Sequence, residues 1–245
     1  MSTQLMGALA CTDLNPAYRR DAEVEDGLGG DGASNGAPGG SSVRVSCPRS
    51  ASDLELCIRC EGAVRDESAR GYALDHTGVN FNQSPDGLAC GVGPNSKVSG
   101  ALAGLDLAEF TIEAWVFARV LPAAGARMGI IDREDAFGMF LGADGSVSCS
   151  IPAGVGVTAP SAVKAGVWTS LTCSLGQNLF VISVNGKAVM TMTANSLTGP
   201  ATAGSITIGS NNPTGAPLDG AFDNVRIWRR RRTPAEVCEG ALACR

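Results

Sequence analysis

Nine cysteines are the residues of this 245-residue chain with the most chemistry to offer: Cys11, Cys47, Cys57, Cys60, Cys90, Cys149, Cys173, Cys238 and Cys244. They are spread along the chain, which points to disulfides formed in an oxidising compartment. The odd count leaves one thiol over, and Cys11 stands alone ahead of a long polar stretch. Cys149 and Cys173 lie on runs that can pair as neighbouring strands, so a cross-strand bridge is expected if their Cα atoms come within ~4.4–6.8 Å. Cys238 and Cys244 flank a short tail and are expected to bond locally. Cys47, Cys57, Cys60 and Cys90 then remain, with three connectivities open. Cys57 and Cys60 form a CxxC pair. On an extended strand their spacing puts them on opposite faces, so they should not bond each other. A redox or zinc role would need a helix start or a second pair of ligands.

Other reactive groups are sparse. His76, in Asp75-His76-Thr77, is the single histidine. It is expected on a surface turn, although a Ser-His-Asp arrangement is formally available. Gly32-Ala-Ser34-Asn-Gly36 has the spacing of a nucleophile elbow, but that elbow needs a strand before it and a helix after it. Both flanks here are glycine-rich. Glu113 has no second carboxylate at a two-residue step, and glycoside hydrolysis needs a pair, about 5 Å apart in retaining enzymes. No HExxH, phosphate-loop or dinucleotide pattern occurs. Arg229 to Arg232 is the one basic run, expected as four solvated residues after the last strand. Its alternative is contact with acidic polysaccharide or lipid headgroups.

The elements that must position these residues follow from composition and pattern. Hydrophobic residues make up 44% and charged residues 18%, enough for a folded core. A net charge of -5 argues against a nucleic-acid partner. No apolar run approaches the ~18 residues of a spanning helix. Residues 12–50 read as a flexible acidic and glycine-rich linker, with Gly27 to Gly40 nearly devoid of apolar residues. From residue 51 short alternating runs take over. Strands are expected at Leu54–Ile58, Phe110–Phe117, Met128–Asp132, Phe137–Leu141, Ser146–Ile151, Val167–Ser174, Asn178–Val184, Lys187–Thr193, Ser205–Ile208 and Ala221–Trp228. Gly142 to Gly145 marks a turn, and Asn185-Gly186 is a strong two-residue hairpin signal. Together they predict an all-β antiparallel sandwich over residues 51–245. Thr233-Pro-Ala-Glu236 predicts a capped helical turn that closes the domain. Trp115, Trp168 and Trp228 are expected in core or inter-sheet packing, with sugar-stacking platforms as the alternative.

Five motifs in order resemble the laminin-G-like, concanavalin-A-like jelly rolls. They are Phe110-Thr-Ile-Glu-Ala-Trp-Val116, Val167-Trp-Thr-Ser-Leu-Thr-Cys173, Leu179-Phe-Val-Ile-Ser-Val-Asn-Gly-Lys187, Ile206-Thr-Ile-Gly209 with Leu218 to Trp228, and an opening Cys60-Glu-Gly62 with Asp66-Glu-Ser68. Cys60 stands where an aromatic residue is usual. The resemblance covers about residues 54 to 244. It implies two curved antiparallel sheets, with the first and last strands paired. It also implies a structural Ca2+ between those strands, held by Glu61 and Asp223 with Asp66 and Asp219 as further candidates. The pentraxin-type calcium loop is not matched, because Ser210-Asn-Asn-Pro-Thr-Gly215 lacks a carboxylate. Residues 1–11, ending Met6-Gly-Ala-Leu-Ala-Cys11, resemble the end of a bacterial lipoprotein signal, with Cys11 as the lipidated residue and the one route to a membrane tether.

The expected function is therefore that of a non-catalytic recognition module outside the cytoplasm, secreted or held at the cell surface as a lipoprotein. Its partner is a glycan or a surface protein. Its alternatives are an adhesive module without a small ligand, and a polysaccharide hydrolase.

Overall fold

Alternating apolar residues become strands wherever both neighbours can pair them. The computed structural model describes residues 47–102, 109–133, 136–151, 156–194, 204–211 and 216–243. Within these, fifteen strands and one helix follow in order. They are β1 (Leu54–Ile58), β2 (Leu74–Thr77), β3 (Asn80–Ser84), β4 (Gly87–Val92), β5 (Lys97–Ala101), β6 (Phe110–Ala118), β7 (Arg127–Arg133), β8 (Phe137–Gly142), β9 (Val147–Ser150), β10 (Gly156–Ala159), β11 (Trp168–Gly176), β12 (Leu179–Val184), β13 (Lys187–Thr193), β14 (Ser205–Ile208), β15 (Gly220–Trp228) and α1 (Pro234–Gly240). Cys11, Gly32 to Gly36 and Cys244 lie outside the described residues.

Two antiparallel sheets stack face to face. One runs β13-β12-β11-β6-β15-β4-β3, with β1 added to the far half of β15; the other runs β10-β9-β8-β7-β14-β5-β2. The first strand thus pairs with the last, Leu56 opposite Ile227 and Ile58 opposite Val225. Alternate residues of both sheets point inward and form one core, including Ile112, Ala114 and Val116 of β6, Leu171 and Leu175 of β11, and Met139, Leu141, Ile206 and Ile208 opposite. Burying so many aliphatic side chains, each worth ~1.5–3 kcal/mol, is the main stabilising contribution.

One irregularity positions the site. The register of β15 against β6 shifts between Asp223 and Arg226, and Asn224 has a φ of 49°. This bulge makes the inward step three residues long, so Phe222, Val225 and Ile227 all reach the core. Asp223 and Asn224 are left beside the β3–β4 turn instead.

The turn signals act as expected. Asn185 and Gly186 both have positive φ, 48° and 78°, as a two-residue hairpin loop demands. Thr233 caps α1 in a reciprocal box with Glu236, Pro234 occupies the first turn, and the helix runs seven residues, about two turns rather than one.

The disulfides with both cysteines among the described residues are Cys47–Cys57, Cys60–Cys90 and Cys149–Cys173. Cys149 and Cys173 are not on neighbouring strands: β9 and β11 belong to different sheets, so their bond, with Cα atoms 6.1 Å apart, staples the two layers together. Cys57 on β1 faces the outer cluster with Leu54 and Trp228, Cys60 just past the strand's end faces the core, and each finds a different partner. Cys238 is also disulfide-bonded. Cys47 ties residues 47–50, which sequence alone assigns to the linker, onto β1.

Candidate functional site

The bulge, the β3–β4 turn and the segment after β1 converge on one acidic pocket. Ser84 Oγ donates to Asp223 Oδ2 (2.7 Å), and the Asn224 backbone N–H donates to Asp223 Oδ1 (2.7 Å). Asn224 Nδ2 donates to Asp86 Oδ2 (3.0 Å). Asn224 is buried, and its Oδ1 has no hydrogen-bond partner. Glu61 is brought in by the Cys60–Cys90 disulfide, and its carboxylate occupies the space over Gly87 where a Cβ would stand. Burial pushes the Asp223 carboxyl up to about 7. The negative charges of Asp86 and Glu61 push the same way, while the bonds from Ser84 and Asn224 oppose them.

The structure thus brings Glu61 and Asp223 together and adds Asp86, Ser84 and Asn224, which sequence reasoning missed. It places the other two candidates elsewhere. Asp66 accepts from the backbone N–H groups of Cys57, Ser68 and Tyr72 and from Ser68 Oγ, and so organises the turn after β1. Asp219 forms an ion pair with Arg119. Among the described residues, no group of three or more His, Cys, Asp or Glu side chains is arranged to hold a metal. A hard cation in the pocket would therefore draw on the orphaned Asn224 Oδ1 as well as carboxylates, a donor set of oxygens that suits calcium.

The arginine run is not four solvated residues, contrary to expectation: three of its members are ion-paired, Arg232 is buried, and Arg229, Arg230 and Arg231 are partly exposed. Arg229 pairs with Glu55, Arg230 with Asp53 and Glu236, and Arg232 with Glu113. Burial alone would raise the Glu55 carboxyl, but bonds from Arg229 and Tyr72 and the charge of Arg70 outweigh it and hold it below the usual range. Glu113 is 3% exposed, with one oxygen on Arg232 and the other accepting from Arg226 (2.9 Å) and Trp228 Nε1 (3.1 Å). Both oxygens are committed, which leaves it none for acid–base work.

The three tryptophans do not pack between the sheets. They stand on the outer face of the eight-stranded sheet, where α1 and the tail behind it form a partial roof. Trp115 donates from Nε1 to the Gly240 carbonyl (3.3 Å) and packs with Leu242 and Trp168. Trp228 packs with Leu54 and Cys57, under the Arg232 guanidinium. Trp168 stays partly exposed beside Phe117, with ring centroids 5.6 Å apart and planes at 45°. His76 is exposed on β2, an edge strand rather than a turn.

Comparison with known proteins agrees with this architecture. A laminin G family model, described as the concanavalin A-like lectin/glucanases superfamily, matches residues 92–238, more than half of the chain. A search of curated proteins returned no match. Among solved structures, the binding domain of Paraclostridial Mosquitocidal Protein 1 superposes with a TM-score of 0.65 at 16% identity, over 77% of this chain and 52% of that one. Domain 4 of an extracellular arabinanase from Geobacillus stearothermophilus, solved in complex with arabinotriose, gives 0.62 at 16% identity, over 77% of this chain and 98% of that one. A structure on the cell entry of botulinum neurotoxin type C, which is dependent upon interaction with two ganglioside molecules, gives 0.63 at 13% identity, over 79% and 51%. The chain spans about half the length of the toxin chains and nearly all of the arabinanase domain. Family match and topology coincide: the chain belongs to the concanavalin A-like lectin/glucanases superfamily.

Proposed function

We propose that the chain is a non-catalytic carbohydrate-recognition module that works outside the cytoplasm and carries a structural calcium ion in the Glu61–Asp86–Asp223–Asn224 pocket. The observation that carries the sugar reading is the partly exposed Trp168–Phe117 ring pair on the outer sheet face. Flat rings of this kind stack on the C–H faces of sugars. Three described disulfides favour an oxidising compartment. Lipidation of Cys11 would tether the module to a membrane face. The arabinotriose-bound arabinanase domain, nearly all of which this chain matches, supports the same reading. The calcium reading rests on the orphaned Asn224 oxygen amid carboxylates. A protein partner is the second reading, favoured by the exposed apolar side chains of Val120 and Val167, 47% and 49% exposed.

A glycan array probed with the oxidised full chain, with calcium and again with chelator, tests this. A reproducible hit supports sugar recognition, and loss of that hit on chelation ties the ion to it. A blank array sinks the sugar reading and moves the protein partner to first place.

A further inference from the structure

Strand register places the ring pair at one end of a continuous row across the outer face. Trp168 of β11 lies opposite Phe117 of β6, Phe117 opposite Ala221 of β15, Ala221 opposite Gly91 of β4, and Gly91 opposite Asn80 of β3. Their inward neighbours Val116, Ala118, Cys90 and Phe222 belong to the core, so this row faces out. At the centre of the row Ala221 and Gly91 carry almost no side chain and are buried, Gly91 beneath the side chains of the far end. The far end is polar. Asn82 Nδ2 donates to Asn80 Oδ1 (2.7 Å), and both exposed side chains lie over Gly91, where a Cβ would overlap them. Their remaining amide atoms, a donor on Asn80 and an acceptor on Asn82, have no partner among the described residues.

Resting on the sugar-recognition reading, we propose that this row is the ligand site, and that it takes a neutral oligosaccharide laid across the strands. One ring stacks on Trp168 and Phe117, the chain passes over the buried Ala221, and hydroxyls of a further ring bond the Asn80 and Asn82 amides that cover Gly91. The chemistry of the two ends selects a sugar: apolar C–H faces need a flat ring, and vicinal hydroxyls need adjacent donors and acceptors. The span selects a chain over a monosaccharide, since five strands at the ~4.8 Å strand spacing cover about 19 Å. Charge selects neutrality. Arg119 and Asp219, next along the same face, neutralise each other, and the chain's net charge of -5 repels anionic glycans. The roof formed by α1 stops at Trp115 and Leu242, which closes the row on one flank and braces Trp168 from behind.

The test is calorimetric titration of the full, oxidised chain with arabinotriose, xylotetraose and cellotetraose, alongside the array above. The expected result is that at least one binds and that its monosaccharide binds far more weakly. Trp168→Ala and the double variant Asn80→Ala/Asn82→Ala should each weaken binding about tenfold or more, the loss of one good contact. Val189→Ser, a change at an exposed site on β13, should leave affinity unchanged. The asparagine pair is exposed on an edge strand, so that variant reports binding even where Trp168→Ala folds poorly. A glycan that binds wild type and both variants equally overturns the row while sugar recognition stands. Binding only of anionic glycans overturns the neutrality claim and the row with it. No binding of any glycan overturns both readings together.

Discussion

Asp223 is the residue whose chemistry depends most on its surroundings. Its carboxyl titrates near 3.8 when exposed and at about 7 in the fold, chiefly because burial disfavours its charge. The folded state therefore holds a proton that the unfolded chain gives up. The stabilising contribution of this group is fully present below pH 3.8 and is lost as pH rises through about 7. At about 1.4 kcal/mol per pH unit, that loss amounts to a few kcal/mol. Asp223→Asn removes the charge and keeps the size. In chelator, the variant should equal wild type in urea midpoint near pH 4 and exceed it at pH 8. With millimolar calcium at pH 8 the order should reverse, because a bound cation supplies the missing partner and binding stabilises the fold by mass action. A variant that matches wild type at both pH values in chelator would show that Asp223 is not strained by its burial. A calcium-independent midpoint would remove the ion from the pocket.

At the scale of elements, the C-terminal helix is a lid built from its own first turn. Thr233 Oγ1 accepts from the Glu236 N–H, and Glu236 reaches back to the Thr233 N–H (2.8 Å) while also pairing with Arg230. The bond from Arg230 pulls the Glu236 carboxyl down to about 2, so the box stays charged at any ordinary pH. Thr233→Ala should cost about 1 kcal/mol in chemical denaturation. It should also loosen the cover over Trp115 and Trp168, seen as a red shift and stronger quenching of tryptophan fluorescence. An unchanged spectrum with a lower midpoint would mean the lid is held by Cys238 and the tail instead.

This helix and the long strands were legible in sequence because their signals are local. Capping box, Asn-Gly turn and strict alternation each occupy a few consecutive residues. Strands β2, β3, β4, β5 and β10 were not legible. Asn80-Phe-Asn-Gln-Ser84 is an exposed edge with no apolar face to alternate, and Gly87-Leu-Ala-Cys-Gly-Val92 is broken by glycines. Glu61 and Asp223 could be paired from resemblance. Asp86 could not, since it joins Asn224 across 138 residues and through a bulge that no local pattern announces. The arginine run misled for the same reason: apart from Glu236, its acidic partners Asp53, Glu55 and Glu113 are distant in sequence.

The whole molecule depends on two sheets staying in register over one core, and Cys149–Cys173 is the described covalent link between them. Cys47–Cys57 and Cys60–Cys90 instead fasten the entering chain and the opening segment to the eight-stranded sheet. The three bonds should therefore differ in what their loss does. Removing the inter-sheet bond frees a 24-residue separation in the unfolded chain, a loss of about 3 kcal/mol on loop-entropy grounds. Both cysteines are buried, so Cys149→Ala/Cys173→Ala also leaves a small gap in the core. That variant should lower the midpoint while keeping its slope and leaving calcium affinity unchanged, because the acidic pocket lies on strands the bond does not touch. Cys60→Ala/Cys90→Ala should do the reverse. It releases Glu61 from its place over Gly87 and should weaken calcium binding, read by calorimetry, more than it lowers stability. Equal loss of calcium affinity in both variants would show that the pocket senses global packing, not the local anchor at Cys60.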